Sequence, residues 1–369
     1  MQTMHLALPV GAFGWDNNPL DEKEFRGRIA AMRAIMERRG WSAIVVFGDI
    51  PESGLLTYVS NFAPRLSAAF ALIPLTGEPE LLTLDGGRMV NAGRETTWIK
   101  NVSPASDIAG QFQEWLDQLG AGARLGLAGF AIMPAAIFDK ISPLAGIASG
   151  EDATALIGGL ARRKSPAELA IIRVNCGLLQ AAAAAAAAKA HEDGASAATA
   201  VMAGERNARQ AGVQDVRCLY SVDGGQSFRP YEGLDTARGD PSIVYMALRA
   251  RGYWVDGFIT LGNGAAAHQA AACVLANAFA AIGARKSVGE LQRAAGQAGG
   301  HPMLAGSLGG GIGVSAEEVP RLDEEGQIFQ AGDVVSVKIS LGDAATGYGW
   351  ASSLLSIGEG ENEVLWTSG

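Results

Sequence analysis

The spacing of apolar residues changes several times along the chain, and each change predicts an element. Phe25, Ile29, Met32 and Met36 recur at helical intervals up to Gly40. The unbroken run AIVVF (43–47) then predicts a buried strand. AFALIPL (69–75) and LLTL (81–84) flank the turn residues TGEPE and predict a hairpin, and RLGLAG (124–129) predicts one more short strand. Helix and strand patterns alternating in this way predict an α/β domain with a mixed sheet. PLAGIASGEDATALIGG (143–159) is rich in small residues and has no strong period. The domain boundary is placed there, giving units 1–155 and 156–369.

The second unit begins with a helix start. Ser165 is a capping residue, Pro166 suits the first helical position, and Glu168 completes a capping box. The predicted helix runs through the alanine block 181–188 to Lys189 and stops near Gly194. Ser287 and Glu290 repeat the device before LQRAA. Strands are predicted at VRCLYSV (216–222), SIVYMAL (242–248), YWVDGFITL (253–261) and DVVSVKISL (333–341). Helices and antiparallel strands in blocks indicate an α+β domain. No repeat of solenoid length occurs.

Composition narrows the function. Apolar residues are 48% and charged residues 18% of 369, which supports a large core and argues against intrinsic disorder. Twenty-nine basic against 38 acidic residues give a net charge of −9. With no basic stripe, nucleic acid is not an expected partner. The alanine block is too short and too weakly apolar to predict a membrane span, and the amino terminus lacks the positive region of a signal peptide. Cys176, Cys218 and Cys273 are odd in number and far apart, which suits reduced thiols in a cytoplasm.

Motifs for common chemistries are missing: there is no HExxH, CxxC or Walker lysine. AGSLGGGIG (305–313) lacks the Lys-Ser/Thr pair of a phosphate loop, and Ala305 stands where a nucleophile elbow around Ser307 would need glycine. It reads as a close-packed glycine turn. Of four histidines, His191 suits a helix C-terminus, His268 packs in an alanine-rich helix, and His5 is near a terminus. His301, before the glycine turn, is the one kept as a pocket candidate. Asp256 within YWVDGFITL and Lys338 within VVSVKISL each place a charge mid-strand. Either alone fits an exposed strand face. Together in one domain they suggest a pocket pair, since a buried carboxylate needs a partner.

At these residues the chain resembles the pita-bread fold family of aminopeptidase P, prolidase and creatinase. RRKSPAELAIIR (162–173) resembles the start of that family's catalytic domain, and GDPSIVYMALRARGYWVDGFITLG (239–262) its central strand pair. GGGIG (309–313) resembles its His-bearing glycine turn, and FQAGDVVSVKIS (329–340) its Glu-Pro strand. YVSNFAPR (58–65) and LDGGRMVNAGRETTWI (84–99) are most similar to creatinase. The resemblance implies a creatinase amino-terminal-like α/β domain followed by a pita-bread domain. It also implies a homodimer in which Phe62 and Arg65 border the partner's cleft.

The family's hydrolases hold two metal ions with two Asp, one His and two Glu. Those positions fall on Tyr245, Asp256, Gly310, Lys338 and, on or near, Ala351. One carboxylate beside an ammonium is a poor set for hard divalent ions, so no metal ligand and no cofactor are expected. Creatinase works without metal through a histidine and two glutamates, at positions matching about Arg229, Phe258 and Lys338. None is retained. A second pocket histidine of the family is matched by Glu317, ahead of Glu318.

The expected cleft therefore holds Asp256, Lys338, Glu317 and Tyr245 as catalytic candidates, with Arg229, Arg65 and Phe62 as substrate-binding candidates. Arginine clasps carboxylates in bidentate fashion, and a desolvated lysine beside a carboxylate can move protons or anchor an anion. One reading is a metal-independent hydrolase or lyase acting on a C–N or C–O bond of a small carboxylate-bearing, amino-acid-like substrate. The other is a non-catalytic binding subunit that retains the fold.

Overall fold

The computed structural model describes residues 14–87, 90–230, 235–262, 265–296, 298, 301–304, 307–343 and 347–368. His5 lies outside them. The chain divides into two compact units, Met1–Ala161 and Arg162–Gly369.

In the first unit α1 (Glu22–Arg39) starts at Asp21, whose side chain accepts the Glu24 N–H, and ends at Gly40 with φ +67°. Phe25, Ile29, Met32 and Met36 are buried, as their spacing predicts. β1 (Ala43–Asp49) carries the AIVVF run because it is a central strand. After α2 (Gly54–Ser60) come β2 (Ala68–Pro74) and β3 (Glu80–Thr83), the predicted hairpin. α3 (Val90–Thr96), β4 (Asn101–Pro104), α4 (Ile108–Leu119) and β5 (Leu125–Ala128) follow. α5 (Ala135–Ile141), α6 (Ala145–Ala148), β6 (Glu151–Asp152) and α7 (Thr154–Arg162) follow, and α6, β6 and the start of α7 occupy the small-residue stretch. The sheet order is β4-β3-β2-β1-β5-β6. β1 pairs antiparallel with β2 and parallel with β5, so the sheet is mixed.

The second unit begins with α8 (Pro166–Ala190), capped by the Ser165–Glu168 box. It closes at Ala190, where His191 takes the cap ahead of Gly194. α8 is, among the described residues, the helix long and apolar enough to cross a membrane, with mean hydropathy 1.5 over 18 residues. The alanine block alone had not suggested this. In the fold α8 is a core helix: Asn175 donates to the carbonyls of Ala250 (2.8 Å) and Tyr253 (2.9 Å), and Glu168 accepts the Tyr253 hydroxyl (2.8 Å).

α9 (Ala197–Gln210) packs on α8. β7 (Asp215–Ser221), β8 (Arg229–Pro230), β9 (Ser242–Ala250) and β10 (Tyr253–Leu261) form an antiparallel sheet of order β10-β9-β7-β8. After α10 (Ala265–Phe279) and the capped α11 (Val288–Ala295), the remaining strands make a second antiparallel sheet. They are β11 (Gly309–Gly311), β12 (Glu318–Arg321), β13 (Val334–Asp343), β14 (Gly347–Ser356) and β15 (Glu363–Thr367). Their order is β12-β11-β13-β14-β15. α10 and α11 cover one face through Leu275, Leu291, Val335 and Val337. Two buried ion pairs tie the start of this unit to that sheet: Lys164–Glu318 at 2.5 Å and Arg162–Asp333 at 2.6 Å.

The glycine turn discriminates between its members. Gly309 has φ +110°, and a Cβ there would run into the Ser336 carbonyl of β13. At Gly310 the nearest atoms to a Cβ are carbonyl oxygens at 3.5 and 3.6 Å, ordinary contact. Gly309→Ala is expected to cost about 2–4 kcal/mol in a denaturant titration, from left-handed strain plus displacement of β13. Gly310→Ala should stay within about 1 kcal/mol. Equal losses at both positions would contradict this packing.

Candidate functional site

Strand alternation builds the site. Tyr245 lies directly opposite Phe258 in the β9–β10 ladder, and Asp256 is two residues from Phe258, so all three share one face. On β13, Ser336 and Lys338 are likewise two apart and share a face. The two faces meet at the Asp256 carboxylate, which is 2% exposed. Its Oδ1 accepts the Ser336 hydroxyl at 2.6 Å. Its Oδ2 accepts the Tyr245 phenol at 2.7 Å and faces the Lys338 ammonium at 2.8 Å.

Asp256 and Lys338 thus form a pocket pair rather than two exposed strand charges. Burial, and then the neighbouring Asp256 charge, push the Tyr245 phenol well above its ordinary value, so it remains a proton donor to the carboxylate. Burial, and then the same charge, push the Cys176 thiol up to about 12, which makes it inert. The Asp256 carboxylate carries three donors. It is held in place and has little capacity left to act as a base.

In front of this cluster lies a cavity of about 350 Å³, lined by Lys338, Tyr245, Phe258, Met303, Leu304 and Glu317 among others. Gly309–Gly311 form part of its wall without side chains. Lys338 brings a positive group to this space. Glu318 and Arg321 also border the cavity, but Glu318 is bound by Lys164 and Arg321 by Asp323 at 3.0 Å. Glu317 is exposed and has no hydrogen-bond or ion-pair partner among the described residues. Of the carboxylates at the cavity it is the one free to bind or take a proton.

One expected site residue is placed elsewhere. Arg229 does not line the cavity; it lies on the edge strand β8, paired with Asp235 at 3.2 Å and stacked over the Tyr220 ring. Phe62 is 4% exposed and packed within the first unit. Arg65 is half-buried, and burial lowers its pKa from the ordinary guanidinium value.

His301 is not a free pocket group either. Its Nδ1 accepts the Met303 N–H at 3.0 Å and its Nε2 donates to the Gln226 carbonyl at 2.9 Å. His268 donates from Nδ1 to the Trp350 carbonyl at 2.6 Å. Ser336 was missed in the sequence, although its place two residues before Lys338 on one strand is the pattern that brings it to Asp256.

The positions that the family resemblance assigns to two metal ions do not fit a divalent cation. They hold a phenol, one carboxylate, glycine, an ammonium and Ala351, which is fully buried. The single anionic group is already compensated by Lys338. Among the described residues, no three His, Cys, Asp or Glu side chains group as metal ligands.

Residues 28–160 match the Creatinase/Prolidase N-terminal domain family. The chain is similar to a prolidase from Pyrococcus horikoshii, at 15% identity and TM-score 0.75, covering 92% of this chain and 97% of that one. It is also similar to an Xaa-Pro dipeptidase from Bacillus anthracis, at 17% identity and TM-score 0.73, covering 92% and 97%. An aminopeptidase P variant from Escherichia coli aligns at 16% identity and TM-score 0.72, over 94% and 95%. No curated protein matches by sequence. The chain as a whole has the fold of these solved proteins, with the pita-bread fold in its second unit.

Two outcomes follow from the charge cluster. Lys338→Met leaves the Asp256 carboxylate buried with hydroxyl donors only, and should destabilise the fold by on the order of 3 kcal/mol. Adding Asp256→Asn should recover most of that loss in a denaturant titration; a double variant as unstable as the single one would contradict the pairing. The second outcome concerns alkali. The phenol holds its proton more tightly in the fold than in the unfolded chain, where its ordinary value is 10. Its stabilising contribution is complete below that pH and is lost as pH rises through the raised value. Tyr245→Phe should therefore flatten the decline of stability above pH 10. Equal slopes in both proteins would contradict the assignment.

Proposed function

We propose that this protein is a metal-independent hydrolase acting on a C–N bond of a small, carboxylate-bearing, amino-acid-like substrate. The observation that supports it is the Lys338 ammonium, fixed by Asp256 at 2.8 Å and bordering the cavity, where the resemblance would place metal ions. The solved proteins of this fold named above are a prolidase, a dipeptidase and an aminopeptidase, all peptide-bond hydrolases.

In this reading Lys338 supplies the positive charge that attracts the substrate and stabilises a developing oxyanion. Glu317 takes one proton from water, and the hydroxide so formed adds to the carbonyl or amidino carbon. The C–N bond then breaks as that proton is returned to the departing nitrogen. Asp256, Tyr245 and Ser336 hold Lys338 and take no part in proton transfer. A homodimer working in a cytoplasm, without cofactor, nucleic acid or membrane as partner, belongs to the same proposal.

One observation favours a second reading. The carboxylate retained from the family's ligand set, Asp256, is saturated by three donors, as a non-catalytic binding subunit would allow. One assay separates the two: chelator-treated protein incubated with N-acyl, amidino and β-substituted amino acids, with binding and products measured together. The hydrolase reading expects conversion of at least one compound, undiminished by the chelator. Glu317→Gln should lower kcat about 10²–10⁴-fold while ligand still binds, and Lys338→Met should abolish binding. Lys338-dependent binding with no conversion selects the binding subunit. Absence of both overturns the assignment of this cavity as the site.

A further inference from the structure

One side of the cavity is built with a care that the charged groups do not require. Met303 and Leu304 line it with apolar surface, and they pack against a buried cluster that contains Phe258. The Phe258 ring is fixed from behind, with its centroid 4.3 Å from that of Trp350 and 5.7 Å from that of Phe228. Met303 and Leu304 sit on a short turn that His301 pins. The imidazole is 4% exposed, its Nδ1 receives the Met303 N–H, and its Nε2–H is spent on the Gln226 carbonyl. Both ring nitrogens are satisfied in the neutral form, and the ring packs edge-on against Tyr348 (4.7 Å) and Trp350 (4.8 Å). Neither Lys338 nor Glu317 is touched by this arrangement.

An ordered apolar wall in an otherwise charged cavity is favourable to a ligand that covers it, because the covering removes apolar surface from water. We infer that the ligand carries an aliphatic or aromatic side group that packs against Met303 and Leu304, which the buried Phe258 supports. His301 is the positioning residue that fixes this wall. The inference rests on the reading of the cavity as a carboxylate-binding site and names the class of side group it selects. Charged and very small side groups are the disfavoured ones: the first would lose hydration against the wall, and the second would leave it uncovered.

The test is a calorimetric series in chelator-containing buffer with N-acetyl derivatives of glycine, leucine, phenylalanine and glutamate. The leucine or phenylalanine derivative should bind at least about tenfold more tightly than the glycine derivative, the scale of discrimination that apolar pockets reach. In His301→Ala that ratio should fall below about threefold. His301→Asn, which keeps an acceptor for the Met303 N–H, should retain more of it. Leu304→Ala acts on the wall directly and should lower the ratio even if His301→Ala fails to fold. Equal binding of glycine and leucine derivatives, or tightest binding of glutamate, would overturn this inference. If Lys338→Met still abolished that binding, the site itself would stand. Failure of every derivative to bind would overturn both.

Discussion

The Asp256–Lys338 pair is the constraint around which the second unit is arranged. A carboxylate buried in the middle of β10 is stable in its ionised form only with a compensating charge and donors for its lone pairs. Three side chains meet that demand: Lys338 and Ser336 on β13, and Tyr245 on β9. The two sheets must therefore approach at these positions and in this register. Gly309 contributes to the same geometry, because β11 approaches Ser336 where no Cβ fits.

The pair also limits the chemistry. One ammonium carries a single charge where two divalent ions would carry four, so it polarises a bound carbonyl far less strongly. What it offers is a fixed electrostatic anchor. A carboxylate that receives three donors is a holder of that anchor and a weak candidate for proton transfer. In the proposed reaction the proton-transfer role falls to Glu317, whose position in the chain matches a family histidine and whose side chain has no ion-pair partner among the described residues. In that proposal the division of labour differs from the relatives in kind, with the charge supplied by lysine and the proton handled by Glu317.

Much of the fold was legible because its signals are local. The capping boxes at Ser165 and Ser287, the AIVVF strand and the hairpin around TGEPE depend on neighbours a few residues away. The Asp256–Lys338 pairing spans 82 positions and could be read only as two anomalies of the same kind, a charge inside each of two apolar strands. Ser336 was passed over because a serine in a strand is unremarkable until its neighbour on the same face is known to bind a carboxylate. Arg229 was misplaced for another reason. Alignment fixes where a residue falls in the chain, but packing decides where its side chain goes, and Arg229 is held on a two-residue edge strand by Asp235 and the Tyr220 ring. His301 was noticed as a pocket residue, yet both of its nitrogens are consumed by backbone partners that no sequence pattern announces.

The central claim is that a lysine ammonium occupies the role and the place of the relatives' metal ions. A crystal structure of the protein grown with manganese and soaked with N-acetylleucine tests it directly. The account predicts a ligand carboxylate within hydrogen-bond distance of Lys338 Nζ, Asp256 still paired with that lysine, and no anomalous scattering from metal between them. A manganese ion coordinated by Asp256 with Lys338 turned away, or a ligand carboxylate bound elsewhere, would contradict it.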